Sequence, residues 1–113
     1  MFTEVSEKRD LVDPDKVKVV LKGSMAENFY RNETEPNDSS FIHLGIYGFK
    51  FSTLKKIVNL PRSKNEIEKR LEQMRAMDND IPIQMIKSNA KIHLGIDTPA
   101  DLKLANELIK NAQ

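Results

Sequence analysis

The chain has 113 residues, of which 39% are hydrophobic, and this length suits one domain with a modest core. Its 18 basic and 17 acidic side chains leave a net charge of +1, and this near-neutral charge argues against a nucleic-acid partner. No cysteine is present, which excludes disulfides, cysteine zinc sites and thiol nucleophiles and is typical of a cytoplasmic protein. The apolar runs are too short to cross a membrane and the first residues lack the order of a signal peptide, so we expect neither a membrane partner nor secretion.

The pattern divides the chain into a charged, frayed lead-in over residues 1–16 and a domain over residues 17–113. In chain order the domain is predicted to contain strands over 17–21 and 28–31 joined as a hairpin, a mobile loop over 33–40, the strongest strand over 41–49, helices over 52–60 and from 63, strands over 81–86 and 92–96, and a last helix over 98–112. The apolar positions expected to face inward are Ile67, Leu71, Met74 and Met77 on the second helix and Leu102, Ala105, Leu108 and Ile109 on the last.

Asp97 lies where an apolar run gives way to a helix, and this turn is strongly specified by its sequence. Thr98 can cap the helix, Pro99 suits its first position and Asp101 completes a variant capping box. Ligands of open α/β sheets bind beyond the carboxyl ends of strands, so the Asp97 carboxylate is a candidate metal ligand. The alternative is that Asp97 is simply a turn-forming residue.

Five other polar side chains are candidates for a ligand site. Strand alternation puts His43 and Tyr47 on one face of the sheet, where they could hold a polar ligand or be core residues. Glu72 and Gln73 can offer a carboxylate and an amide to hydroxyl groups, or be ordinary helix surface. Arg31 can hold a carboxylate through two N–H groups, or be an exposed arginine at a loop edge.

Four motifs and their spacing resemble the C-terminal half of the 3-deoxy-manno-octulosonate cytidylyltransferases (CMP-Kdo synthetases), from about Val17 to the end of the chain. The motifs are His43-Leu44-Gly45-Ile46-Tyr47-Gly48-Phe49, Leu60-Pro61, Leu71-Glu72-Gln73-Met74-Arg75-Ala76-Met77 and Gly95-Ile96-Asp97-Thr98-Pro99-Ala100-Asp101-Leu102. The resemblance implies an α/β class, as the C-terminal half of a Rossmann-like nucleotide-diphospho-sugar transferase fold with a mixed sheet and flanking helices.

The same resemblance implies an activity and roles for individual residues. Enzymes of this family transfer CMP from CTP to the sugar acid Kdo with magnesium for lipopolysaccharide synthesis, and they form homodimers. Asp97 is similar to one of two aspartates that hold Mg²⁺. His43, Tyr47, Glu72 and Gln73 match residues that contact the sugar acid, and Arg31 resembles the arginine that meets its carboxylate.

The nucleotide-binding half of the family, with its other metal-binding aspartate, has no counterpart in these residues. We therefore expect residues 17–113 to supply the sugar-binding and dimerisation half and the chain alone to be inactive. The alternatives are a non-enzymatic dimerisation module, a cytidylyltransferase for another sugar acid, and a split enzyme completed by a separate nucleotide-binding polypeptide.

Overall fold

The structure is a computed structural model that describes residues 1–6, 8–31, 39–90 and 94–113. Its elements in chain order are strand β1 (Phe2–Thr3), a 3-10 helix (Lys8–Leu11), strands β2 (Lys18–Lys22), β3 (Met25–Tyr30) and β4 (Ser40–His43), and helices α1 (Phe51–Val58), α2 (Lys64–Lys69), α3 (Met74–Asp78) and α4 (Pro99–Ala112). None of the helices in these ranges is long and apolar enough to cross a membrane.

The four strands form one sheet in the order β1-β4-β2-β3, and each neighbouring pair is antiparallel. The predicted hairpin is confirmed as β2 and β3, which turn at Gly23 with a φ of +61° that glycine adopts without steric cost. A parallel contact is made outside the named strands, at the isolated bridge between Phe2 and Lys87. The α/β class with flanking helices is confirmed.

The core lies between the sheet and the helices α2 and α3. Val19 and Phe29 are directly paired on β2 and β3 and both have no exposed surface. The buried cluster consists of Phe2, Val19, Phe29, Leu71, Met74 and Met85. Each of these large side chains stabilises the fold by roughly 1.5–3 kcal/mol through burial, so the sheet, α2 and α3 form the stable part of the structure.

Residues 1–16 were predicted to be frayed, but the structure places β1 in the sheet beside β4. Phe2 is 8% exposed, and its ring meets that of Phe41 edge to face at 4.9 Å. Its backbone N–H also donates to the carbonyl of Ile86 at 3.0 Å. Phe2 fills a position in the core, and its backbone groups are paired with Ile86 and Ser88, which contributes to the order of this segment.

Three predicted elements differ in extent. The strand over 41–49 ends at His43, before Gly45 and Gly48, which weaken a strand. The segment 81–86 contributes an isolated bridge at Gln84 rather than a strand. Of the strand predicted over 92–96, residues 92 and 93 lie outside the described ranges and residues 94–96 are not in a strand.

The second predicted helix is divided into α2 and α3 at Arg70, which has a left-handed φ of 54°. The backbone N–H of Leu71 donates to the carbonyl of Glu66 at 3.2 Å, a bond that typically closes a helix when the residue before it is left-handed. Leu71 is 4% exposed. The chain therefore turns at Arg70 and enters the core at Leu71.

Helices α1 and α4 contribute no buried residue to the core. On α4, Leu102 and Ile109, which were predicted to face inward, are 52% and 58% exposed, and on α1 Phe51 is 81% exposed. The radius of gyration is 15.4 Å, against about 13 Å for a compact domain of this length. Of the residues predicted to face inward, Ile67, Leu102 and Ile109 are thus left uncovered by the described residues.

Candidate functional site

His43 and Tyr47 lie together at the end of β4. Their ring centroids are 5.5 Å apart, although Tyr47 follows the strand rather than belonging to it. Phe29 meets His43 at 5.1 Å from the core side, and Phe49 stacks on Tyr47 at 6.1 Å. The two rings are therefore close, as predicted, but not through strand alternation, and they lie within a row of four aromatic rings.

The protonation states of these two rings are set mainly by burial. Burial lowers the pKa of His43 to about 4, so the imidazole is neutral at pH 7. Burial, with a contribution from the charge of Glu72, raises the pKa of Tyr47 to about 12, so its hydroxyl stays protonated. The His43 Nε2 atom is buried and has no hydrogen-bond partner among the described residues. The pair thus offers uncharged groups that can donate to and accept from hydroxyls.

The depressed pKa of His43 predicts that the folded chain loses stability in mild acid. An unfolded imidazole takes up a proton near pH 6.5, whereas folded His43 resists protonation until about pH 4. Stability is therefore fully present above pH 6.5 and falls below it. With allowance for partial exposure, we expect the free energy of unfolding to drop by about 1 kcal/mol between pH 6.5 and about pH 5.

Urea unfolding at several pH values measures this effect. The matched variant is His43→Gln, which cannot take up the proton and is expected to lose most of the pH dependence in this interval. An equal slope in the variant and the parent chain would show that His43 is not the group responsible.

Glu72 and Gln73 lie in the connection between α2 and α3. The side-chain Nε2 of Gln73 is buried and has no hydrogen-bond partner among the described residues. Glu72 is exposed, and its negative charge contributes to the raised pKa of Tyr47 and to that of Arg75. An open cleft of about 360 Å³ adjoins it, lined by Arg62, Glu66, Arg70, Leu71, Glu72 and Arg75. Glu72 thus lines this cleft and acts on Tyr47 through its charge.

The wall of the cleft contains an ion pair that was not predicted from the sequence. Arg75 donates from Nε to Glu66 Oε2 at 2.9 Å and from Nη2 to Glu66 Oε1 at 2.7 Å. The Glu66 side chain is 5% exposed, and the hydrogen bonds from Arg75 hold its pKa below the usual range. The signal in the sequence was limited to the capping box that Glu66 forms with Ser63.

Arg31 contacts backbone carbonyls rather than any of the other predicted site residues. Its guanidinium donates to the carbonyls of Lys69 at 3.1 Å, Pro14 at 3.3 Å and Arg70 at 2.9 Å. It therefore joins the end of β3 to the end of α2. Its predicted contact with a sugar carboxylate stays a prediction.

Asp97 lies in the exposed turn that precedes α4. Its backbone N–H donates to Asp101 at 3.1 Å, and the predicted capping box between Thr98 and Asp101 is confirmed. Within the described ranges there is no cluster of three or more His, Cys, Asp or Glu residues able to hold a metal ion. A single accessible carboxylate fits Mg²⁺, which commonly takes one or two protein carboxylates and completes its shell with water and phosphate oxygens.

Comparison with known proteins places this chain in context. No family model matches it. A 3-deoxy-manno-octulosonate cytidylyltransferase of Paramagnetospirillum magneticum is 29% identical over 97% of this chain and 47% of its own length. One from Nitratiruptor sp. is 38% identical over 83% of this chain and 41% of its own length.

Comparison of the fold with solved structures also finds a relative of this kind. A solved structure of CMP:2-keto-3-deoxy-manno-octonic acid synthetase complexed with CTP superposes with a TM-score of 0.83 at 29% identity, over 99% of this chain and 48% of that one. The chain is thus related to nucleotidyltransferases that act on sugar acids. More narrowly, it is homologous to part of a 3-deoxy-manno-octulosonate cytidylyltransferase, which confirms the resemblance seen in the motifs. It spans less than half the length of these relatives.

Proposed function

We propose that this chain is the sugar-acid-binding half of a cytidylyltransferase that transfers CMP from CTP to Kdo. The observation that carries the proposal is that His43 and Gln73 each have a buried side-chain nitrogen without a hydrogen-bond partner among the described residues. A buried polar atom without a hydrogen bond costs about 1–3 kcal/mol, so a ligand that supplies hydroxyl groups would remove an existing penalty. Tyr47 lies beside His43, and Glu72 adjoins Gln73 and acts electrostatically on Tyr47.

In the proposed reaction the sugar hydroxyl attacks the α-phosphorus of CTP and pyrophosphate leaves. The four residues would bind and orient the sugar, and Arg31 is proposed to meet its carboxylate. Such alignment accounts for much of the rate acceleration in reactions of this type. Asp97 would ligate Mg²⁺, which supplies neutralisation of phosphate charge. We place the complete enzyme in lipopolysaccharide synthesis, in the cytoplasm and as a homodimer.

Kdo titration by calorimetry tests the sugar site directly. We expect the chain to bind Kdo and Gln73→Leu to bind about tenfold more weakly, because the apolar leucine side chain removes the amide donor. The matched control is Gln84→Leu, an exposed glutamine outside the site, which should retain the parent affinity. Because these 113 residues span less than half the length of the relatives, CTP and Kdo are expected to yield no CMP-Kdo with them alone.

Absence of Kdo binding, or equal binding by Gln73→Leu, would overturn the sugar-site proposal. Formation of CMP-Kdo by the chain alone would overturn the predicted inactivity. Preference for a different sugar acid in the same titration would favour the alternative of another cytidylyltransferase.

A second candidate function is a non-enzymatic dimerisation module. The exposed apolar side chains on α1 and α4 favour it, since they provide surface for assembly. Light scattering distinguishes the two: a dimer that does not respond to Kdo supports the module. A split enzyme would instead require a separate nucleotide-binding polypeptide that restores CMP-Kdo formation when it is added.

A further inference from the structure

Two basic side chains cross between β3 and α2 in opposite directions. Arg31 extends from just beyond β3 and donates to the carbonyls of Lys69 and Arg70, at 3.1 Å and 2.9 Å. Lys69 extends back from α2, and its ammonium donates to the Phe29 carbonyl at 2.9 Å and to Asn28 Oδ1 at 3.0 Å. We call these two residues the cross-tie.

The cross-tie lies at the point where α2 ends in an unfavourable backbone conformation. Arg70 has a left-handed φ of 54°, which is sterically unfavourable for a non-glycine residue. The last carbonyls of a helix also lack partners within the helix. Arg31 supplies donors to two of these carbonyls and a positive charge at the negative end of the helix dipole. The cross-tie therefore stabilises the turn at Arg70.

Arg31 is itself well fixed. Its own carbonyl accepts a hydrogen bond from the ammonium of Lys18, a fully buried side chain that also donates to the carbonyl of Asp13. The Arg31 guanidinium also donates to the carbonyl of Pro14, the residue after Asp13, at 3.3 Å. Through Arg31, the turn after α2 is thus joined to the sheet.

The turn leads through the buried Leu71 directly to Glu72 and Gln73. We propose that Arg31 and Lys69 are positioning residues, which hold the turn at Arg70 so that Glu72 and Gln73 point into the sugar site. The inference deepens the proposed function and rests on it for its ligand, but the geometry is a property of the unliganded chain. It gives Arg31 a role that does not require contact with the sugar carboxylate.

The first test needs no ligand. In Arg31→Lys the charge is kept, but a lysine cannot donate along the diverging directions of a guanidinium. Lys69→Met removes the return bonds and keeps the side-chain length. We expect both variants to shift the NMR signals of the Gln73 side-chain amide and the Glu72 backbone amide. The matched control, Lys64→Met, makes the same change at an exposed site of α2 and should leave these signals in place.

The second test separates positioning from carboxylate contact. Kdo and its uncharged C1 amide are titrated into each variant by calorimetry. In Arg31→Lys and in Lys69→Met, displacement of Glu72 and Gln73 should lower the affinity for both ligands by a similar factor, about tenfold. Parent affinity for the amide in Arg31→Lys and for both ligands in Lys69→Met would overturn the proposal, as would unshifted NMR signals. If the parent chain binds neither ligand, the proposed function fails, while the NMR comparison still decides the cross-tie.

Discussion

Phe29→Ala is expected to lower the free energy of unfolding by about 3–5 kcal/mol. Phe29 has no exposed surface, pairs with Val19 across β2 and β3, and lies in the buried cluster that joins the sheet to α2 and α3. Its ring also contacts His43. The substitution therefore opens a cavity at the centre of the core and removes the support beneath the candidate site, and urea unfolding measures the loss.

Phe51→Ala is the matched control for this change. Phe51 begins α1 and is 81% exposed, so its truncation should alter stability by no more than about 0.5 kcal/mol. Similar losses for the two variants would contradict a core centred on Phe29. A loss of Kdo affinity in Phe29→Ala at a temperature where it is still folded would further support the link between the core and His43.

Arg75→Met is expected to produce the second large loss of stability. It leaves the carboxylate of Glu66, 5% exposed, without the two hydrogen bonds that compensate its burial. Breaking such a pair from one side is more damaging than replacing both partners, because a buried charge remains. Thermal unfolding should therefore show a lower midpoint for Arg75→Met than for Arg62→Met, which removes the longer 3.6 Å contact of an exposed arginine with the same carboxylate.

The double variant Arg75→Met with Glu66→Gln provides the control, since the amide can still accept from the Ser63 backbone without carrying charge. It should recover part of the loss. In the parent chain the pKa of Glu66 is lowered by Arg75, so this contribution to stability is present above the ordinary carboxyl pKa and disappears as the pH falls through the lowered value. A double variant less stable than Arg75→Met would contradict the account.

Features that depend on neighbouring residues could be predicted from the sequence. The hairpin follows from the valine-rich segment over 17–21 and the turn at Gly23, and the capping boxes that begin α2 and α4 follow from Ser63 with Glu66 and Thr98 with Asp101. In each capping box the partners are within one turn of the chain, so local chemistry decides where these helices begin.

Features that depend on distant residues could not be predicted. β1 forms because Phe2 finds a place beside Phe41, and the helix predicted from Ser63 divides because the core accepts Leu71 after a left-handed Arg70. The same holds in the candidate site. The sequence predicted that His43 and Tyr47 lie close together, although Tyr47 lies beyond the strand, but the Glu66 to Arg75 pair depends on the angle between two helices, which no periodicity encodes.

The uncovered helices α1 and α4 also have a consequence for order in the chain. Helices shorter than about 12–15 residues are marginal in water unless packing supports them, and α1 has 8 residues and α4 has 14, with no buried residue in either. Their helix–coil equilibrium is therefore coupled to whatever covers their apolar side chains. The backbone N–H of Asp97 donates to Asp101 in the first turn of α4. Unfolding of α4 would therefore also release the turn that holds Asp97.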